Sequence, residues 1–157
     1  DLFSLVIQAL IDQGKIISTD NYLKQSLHNA HLSDADQKQA DQIIQLLKRH
    51  PYRTPPEKII AKELNTSVQH VSKLLTSLRT SGDIVKLEDG IYMHRDAVNK
   101  AQNDITKKLH KTKTISVSEF RDMIGSSRKY ALALLLYFDQ IGATERSGDI
   151  RILKIKK

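Results

Sequence analysis

Residues 66–93 read TSVQHVSKLLTSLRTSGDIVKLEDGIYM, and this stretch decides the fold. Its first half has apolar residues at the i, i+3, i+4 and i+7 spacing of an amphipathic helix, namely Val71, Leu74, Leu75 and Leu78. Gly82 is placed to end that helix, and the Asp-Gly pair at 89–90 is a strong hairpin signal between two short apolar runs. The stretch therefore predicts a helix that leads directly into a two-stranded hairpin.

The same pattern occurs three times along the chain. Residues 64–89 align without gaps on residues 124–149, and residues 6–17 form a weaker copy of residues 74–85. A glycine follows the helix in every copy, at Gly14, Gly82 and Gly142. The other two hairpin turns are predicted near Asp20 and Asn21, and at Ser147, Gly148 and Asp149. Because self-similarity at a fixed spacing marks one structural unit used repeatedly, we expect three related units.

Two further helices are predicted before this unit in the second and third copies. We predict N-terminal caps, side chains that accept hydrogen bonds from the first free N–H groups of a helix, at Ser33, Thr66 with Gln69, Asp96, Ser116 with Glu119, and Ser126 or Ser127. Helix, short helix, helix and hairpin is the order of a winged-helix domain. The chain is therefore predicted to be mainly α with small β-hairpin wings, arranged as tandem winged-helix domains.

The domain boundaries follow from the repeat. Residues 1–32 are predicted to be the recognition helix and wing of one winged-helix domain, residues 33–96 a second domain, and residues 97–157 a third. Because the first copy lacks its opening helices, we expect the chain to be a fragment of a longer protein. No Pro- or Gly-rich linker separates the copies, so we expect stiff stacking of the domains.

The positive charge is concentrated in the last third. Residues 98–157 carry 13 basic and 6 acidic side chains, so this segment alone has the net charge of +7 of the whole chain. Such a field attracts polyanions, and the alternative is a solvated lysine-rich surface. The chain has no cysteine, which excludes disulfides, thiolate chemistry and the cysteine-based metal sites.

An enzyme is not predicted. The sequence has no Gly-x-x-x-x-Gly-Lys phosphate loop, no Gly-x-Gly-x-x-Gly and no His-Glu-x-x-His. His28 and His31 are three residues apart, but no carboxylate cluster completes a metal site with them. We therefore expect no catalytic residue, no metal and no cofactor.

The last predicted helix contains the candidate site. Its core side is apolar, and Leu132, Leu136 and Tyr137 add apolar surface elsewhere, which indicates a helix docked on its neighbours. Only its first turn is polar and basic. Free N–H groups and the positive end of the helix dipole there suit an anion, and Tyr130 could stack on a base. The candidate nucleic-acid contacts are Ser127, Arg128, Lys129 and Tyr130, with Arg146 and Arg151 from the wing. In the alternative interpretation the cations are plain surface and Tyr130 fills the core.

Residues 126–142, SSRKYALALLLYFDQIG, followed by ATERSGDIRILK at 143–154, resemble the terminal winged-helix domain of bacterial selenocysteine-specific elongation factors. The resemblance implies that this domain binds the selenocysteine insertion hairpin of a messenger RNA. It implies RNA contacts at Arg128, Lys129, Arg146 and Arg151. The sequence departs from the family pattern at Ala133, Leu136, Gln140 and Glu145, and Glu145 stands where the family often has a phosphate-binding arginine.

The same resemblance implies a cytoplasmic, monomeric translation factor. A separate N-terminal part would hydrolyse GTP and bind selenocysteyl-tRNA, and would work on the ribosome without a membrane. Two alternatives stay open: a DNA-binding winged-helix regulator, against which the apolar last helix argues, and a structural winged-helix tandem that binds proteins.

Overall fold

The computed structural model describes residues 2–12, 16–19, 22–25 and 32–154, and divides the chain into two compact units, residues 1–37 and 38–157. In the first unit, helix α1 (Leu2–Asp12) precedes an antiparallel hairpin of strands β1 (Ile16–Thr19) and β2 (Tyr22–Gln25). The helix-then-hairpin order matches the first predicted copy. Gly14, the turn at Asp20 and Asn21, and the pair His28 and His31 lie outside the described residues.

Three helices and a hairpin make up the middle of the chain. They are α2 (Asp34–Arg49), α3 (Glu57–Glu63), α4 (Val68–Ser81), β3 (Ile84–Lys86) and β4 (Tyr92–His94). Gly82 ends α4 with a φ of 83°, a left-handed conformation that glycine adopts without steric cost. One turn of 3-10 helix at Glu88–Gly90 joins the two strands. This is the winged-helix order, and the predicted mainly helical winged-helix architecture is confirmed.

The end of the chain repeats the order with one addition. Its elements are α5 (Arg95–Thr112), β5 (Ile115–Ser116), α6 (Val117–Ile124), α7 (Arg128–Gln140), β6 (Thr144–Ser147) and β7 (Ile150–Leu153). The sequence predicts a two-stranded wing, but β5 pairs with β7 and produces a three-stranded sheet in the order β5-β7-β6. Strand β7 is therefore the central strand, and this changes the environment of the residues on it.

The predicted helix caps are partly corrected. At α6 the Ser116 hydroxyl accepts from the Glu119 N–H and the Glu119 carboxylate accepts from the Ser116 N–H, so that capping box is confirmed. At α4 the cap is Ser67 rather than Thr66, and the Ser67 hydroxyl accepts from the His70 N–H at 3.1 Å.

At α5 the prediction of Asp96 as the cap is wrong. Strand β4 runs directly into α5, so His94 is the capping residue, and its Nδ1 accepts from the Asp96 N–H at 3.2 Å. Asp96 lies in the first turn instead, where a carboxylate favours the positive end of the helix dipole. At α7 the capping position is Ser127, whose side chain makes no capping hydrogen bond.

One hydrophobic core crosses the predicted boundary at residues 96 and 97. Side chains of the middle wing belong to the same buried cluster as those of the last helices: Val85, Leu87, Ile91 and Met93 pack with Val98, Ile105, Leu109, Phe120, Leu134, Leu135 and Phe138. The rings of Phe120 and Phe138 meet edge to face at 6.2 Å. The middle wing is thus held by apolar burial against the following domain. The boundaries at 32/33 and 96/97 themselves stay predictions.

Candidate nucleic-acid interface

A cavity of about 500 Å³ opens between the first turns of α7, the start of α6 and the wing β6–β7. Three of the six predicted contacts line it: Arg128 on α7, Arg146 on β6 and Arg151 on β7. These side chains come from positions up to 23 residues apart in sequence, and the helix-wing geometry brings them together. The cavity, which we call the wing cavity, therefore has a concentrated positive charge.

The rest of the lining is chemically mixed. Its apolar wall is formed by Val117, Leu132 and Leu136, and its polar groups besides the arginines are Ser116, Ser118 and Asp149. The sequence predicts that Leu132 and Leu136 are excess apolar surface covered by docking. Leu132 packs against the hydrophobic core, whereas both leucines also face the open cavity. An apolar wall beside charged donors and one carboxylate acceptor suits a flat heterocycle with polar edges.

The start of α7 has the properties of an anion-binding helix end. Arg128 and Lys129 are both exposed, and neither forms an ion pair with a carboxylate within residues 32–154. No acidic residue lies in the first turn of α7, and Ser127 makes no capping hydrogen bond. The positive end of the helix dipole is therefore not compensated by a side chain of this turn. Positive charge at this end of α7 is therefore available to a ligand.

The sequence predicts that Tyr130 could stack on a base, but the structure places its side chain against the hydrophobic core. Its ring is half-buried against the core and its hydroxyl donates to the Thr54 carbonyl at 2.9 Å. The Lys129 ammonium lies 5.6 Å from the centre of the Tyr130 ring. Ser127, Lys129 and Tyr130 do not line the wing cavity. Tyr130 instead connects α7 to the segment between α2 and α3.

Arg151, which the sequence predicts as an RNA contact on the wing, is buried. Only 1% of its surface is exposed, and its strand β7 lies between β5 and β6 in the sheet. Its Nε donates to Asp139 at 3.0 Å, and its Nη2 has no hydrogen-bond partner among the described residues. Asp139 also accepts from the Thr144 hydroxyl at 2.7 Å. Arg151 thus contributes charge at the back of the cavity rather than a mobile contact at its mouth.

Arg146 lies on the edge strand directly opposite Arg151 and is exposed. Its Nε donates to the Gly148 carbonyl at 2.9 Å, which orients the guanidinium across the wing turn. Gly148 has a φ of 63° in this turn. The remaining guanidinium N–H groups of Arg146 have no protein partner within residues 32–154. They can serve a ligand in the cavity.

Several cavity residues are not among the predicted contacts. Ser116 and Ser118 enter the site because β5 pairs with β7, a pairing with no local sequence signal, since β5 is only two residues long. Asp149 is predicted as a turn residue, and it both lies in the turn and lines the cavity. Among the described residues no group of three or more His, Asp or Glu side chains could hold a metal ion, and no helix is long and apolar enough to cross a membrane.

The family model, the curated relatives and the solved structures that this chain resembles all point to selenocysteine-specific elongation factors. Residues 107–153 match the family described as elongation factor SelB, winged helix. The selenocysteine-specific elongation factor of Escherichia coli is 28% identical over 98% of this chain, and that of Desulfomicrobium baculatum is 21% identical over 98%. This chain spans 24% of the length of each of these curated relatives.

Two solved structures have a similar fold. The mRNA-binding domain of elongation factor SelB from E. coli in complex with SECIS RNA matches with a TM-score of 0.69 and 27% identity, over 79% of this chain and 100% of that one. A bacterial selenocysteine-specific elongation factor EF-Sec matches with a TM-score of 0.63 over 96% of this chain and 24% of that one, and at 20% identity this shows the fold. The resemblance to the C-terminal winged-helix region of these factors, predicted from the sequence, is confirmed.

Proposed function

We propose that this chain binds a messenger-RNA hairpin through the wing cavity of its last winged helix, as the C-terminal part of a selenocysteine-specific elongation factor. The observation that carries the proposal is the convergence of Arg128, Arg146 and Arg151 on one cavity. Its context is the similarity, at 27% identity, to an mRNA-binding domain solved with SECIS RNA.

The lining of the cavity favours a looped RNA over a straight duplex. A loop presents unstacked bases and bunched phosphates in a small volume, and proteins read such bases by packing on their faces and bonding their edges. Leu132 and Leu136 offer the apolar surface for a face. Arg128 and Arg146 can donate to phosphates or to acceptor edges such as guanine O6 and N7, and Asp149 can accept from a base N–H.

We divide the contacts into two classes, since phosphate contacts position an RNA and base contacts specify it. Arg128 projects from a rigid helix into the cavity beside the apolar wall, so we assign it to base recognition. Lys129 lies outside the cavity at the same helix end, where charge alone attracts phosphate. Arg151 has a positioning role, through its ion pair with Asp139 and its charge behind the cavity.

We assign no catalytic role to this portion of the factor. By the resemblance, GTP hydrolysis, selenocysteyl-tRNA binding and the contacts with the ribosome belong to the whole factor. This chain spans only 24% of the length of the relatives that carry that name.

The test is a binding titration with hairpins selected from a pool with a randomised loop on a constant stem. Arg128→Ala should cost on the order of 1–3 kcal/mol against the selected loop and should reduce discrimination from a scrambled loop. The control is Lys154→Ala, an exposed cation just past β7, which should weaken both RNAs equally and flatten the salt slope by roughly 0.7–0.9.

Two results would contradict the proposal. One is equal binding of hairpins and the corresponding DNA duplex, which would favour a DNA-binding regulator. The other is loss of loop discrimination in the Lys154→Ala variant while Arg128→Ala keeps it, which would place recognition outside the wing cavity.

A further inference from the structure

A second groove, of about 210 Å³, lies where the loop between α2 and α3 meets the turn between α6 and α7. The end of α2 and the loop that follows it provide residues 49–53, and the turn provides Ile124 and Gly125. None of these residues lines the wing cavity. We call this feature the loop groove.

Three hydrogen bonds fix the loop in place. The Ser126 hydroxyl donates to the Tyr52 carbonyl, and the Tyr130 hydroxyl donates to the Thr54 carbonyl at 2.9 Å. The Tyr52 hydroxyl donates to the Ala97 carbonyl at 2.9 Å, and burial raises the pKa of this phenol, so the donor stays protonated. The loop of the middle domain is therefore held against the last domain, and its backbone has a defined position relative to α7.

The groove is lined by two arginines and a histidine that have no carboxylate partner within residues 32–154. Arg49, His50 and Arg53 are all exposed, and within residues 32–154 none of their side chains forms an ion pair or a hydrogen bond. No carboxylate lines the groove. The middle third of the sequence is nearly balanced in charge, so its net charge gives no indication of this cluster.

The loop groove and the wing cavity are at opposite ends of α6. Ser116 and Val117 at the start of that helix line the cavity, while Ile124 and Gly125 at its end line the groove. An eight-residue helix is about 12 Å long. The candidate RNA-binding turn at Arg128 follows Gly125 by three residues, so one folded RNA can contact both features at once.

We propose that the loop groove binds phosphates in the stem of the same hairpin whose loop enters the wing cavity. The inference rests on the proposed function and extends it to the middle domain. Phosphate is the fitting ligand, because the groove offers two guanidinium groups and an imidazole as donors and no carboxylate. Its only aromatic residues are His50 and Tyr52, and the Tyr52 hydroxyl is already bonded. The groove should therefore bind stems of any sequence equally well.

The test uses the whole chain and two hairpins with the same selected loop, one on a long stem and one on a stem cut to its first base pairs. The variant is Arg49→Gln with Arg53→Gln, which changes exposed side chains with no protein partner within residues 32–154. With the long stem we expect a several-fold weaker affinity and a salt slope shallower by up to roughly 1.4–1.8, if each arginine neutralises one phosphate. With the short stem the variant should match the unmodified chain.

The matched control is Lys73→Gln with Arg79→Gln. It removes the same charge from the exposed face of α4, in the same domain but outside the groove. Thermal unfolding of both double variants should resemble that of the unmodified chain. Equal decreases in affinity for the two variants would mean diffuse attraction and would overturn the inference.

Two other outcomes separate the failure of this inference from that of the proposed function. If the unmodified chain discriminates loops but the groove variant binds both hairpins normally, or loses affinity equally for both stems, only the groove assignment is wrong. If the unmodified chain binds no selected hairpin, the proposed function fails and the groove assignment fails with it.

Discussion

Arg146 and Arg151 are register partners on β6 and β7, and their burial gives them different roles. The guanidinium of Arg151 is buried and paired with Asp139, while that of Arg146 lies at the open side of the wing. Removing one member of a buried ion pair leaves the other charge without compensation. Removing an exposed arginine leaves the folded state nearly unchanged.

The pair therefore gives a prediction at the scale of single residues. Arg151→Ala should destabilise the chain by about 3 kcal/mol or more, because Asp139 loses its partner. Arg146→Ala should change stability by less than about 0.5 kcal/mol while weakening hairpin binding. Urea unfolding and an RNA titration on both variants provide the measurement. A stable Arg151→Ala chain would show that the ion pair with Asp139 is not structural.

At the scale of elements, α6 depends on its first turn. The helix has only eight residues, so its unpaired N–H groups are a large share of its backbone, and the capping box of Ser116 and Glu119 satisfies two donors. The same turn supplies the serines of the wing cavity. The cap thus stabilises the helix that separates the wing cavity from the loop groove.

The cap makes a pH-dependent contribution to stability. Hydrogen bonds from Ser116, with a smaller contribution from the Lys108 charge, lower the pKa of Glu119. A lowered pKa in the folded state stabilises the fold above the usual carboxyl range, and that stabilisation is lost as the pH falls through the lowered pKa. Glu119→Ala should therefore be less stable than the unmodified chain at neutral pH, and the difference should shrink on acidification below the usual glutamate range.

Urea midpoints across a pH series measure this effect. Glu145→Ala is the control, because it removes an exposed carboxylate on β6 with no hydrogen bond to other residues of the described chain. A Glu119→Ala difference that stays constant with pH would show that the carboxylate does not act through its charge.

At the scale of the whole molecule, the most important feature for stability is the hydrophobic core that the middle wing shares with α5, α6 and α7. Met93 belongs to the wing of the middle copy, is 0% exposed, and packs in the cluster that contains Leu134, Leu135 and Phe138 of α7. Apolar burial is the main stabilising contribution in folding, so a common core couples the two domains. A cut at residue 96 would separate part of this core from the rest.

We predict that Met93→Ala lowers stability by roughly 2–5 kcal/mol and lowers the hydrogen-exchange protection of α7 as well as that of its own wing. Ile60→Ala is the control, since Ile60 is equally buried in the middle domain but lies outside the cluster. Unchanged protection of α7 in Met93→Ala would mean that the domains unfold independently.

Much of the fold was predictable from local signals. The helix order, the glycine stop at Gly82, the capping box at Ser116 and the basic first turn of α7 each depend on residues within about one turn of each other, so the sequence alone determined them. The resemblance to the C-terminal winged-helix region of selenocysteine-specific elongation factors also came from contiguous residues.

Only the tertiary structure decided which arginine is buried and which domain supports the site. Ile115 on β5 pairs with Arg151, 36 residues later in the chain, and Ser126 and Tyr130 donate to carbonyls 74 and 76 residues earlier in the chain. Such contacts join short segments whose own residues do not specify a partner, because a two-residue strand or a backbone carbonyl has no distinctive side-chain pattern. They form only when packing of the common core brings the segments together, and so the wing cavity and the loop groove are products of the folded chain.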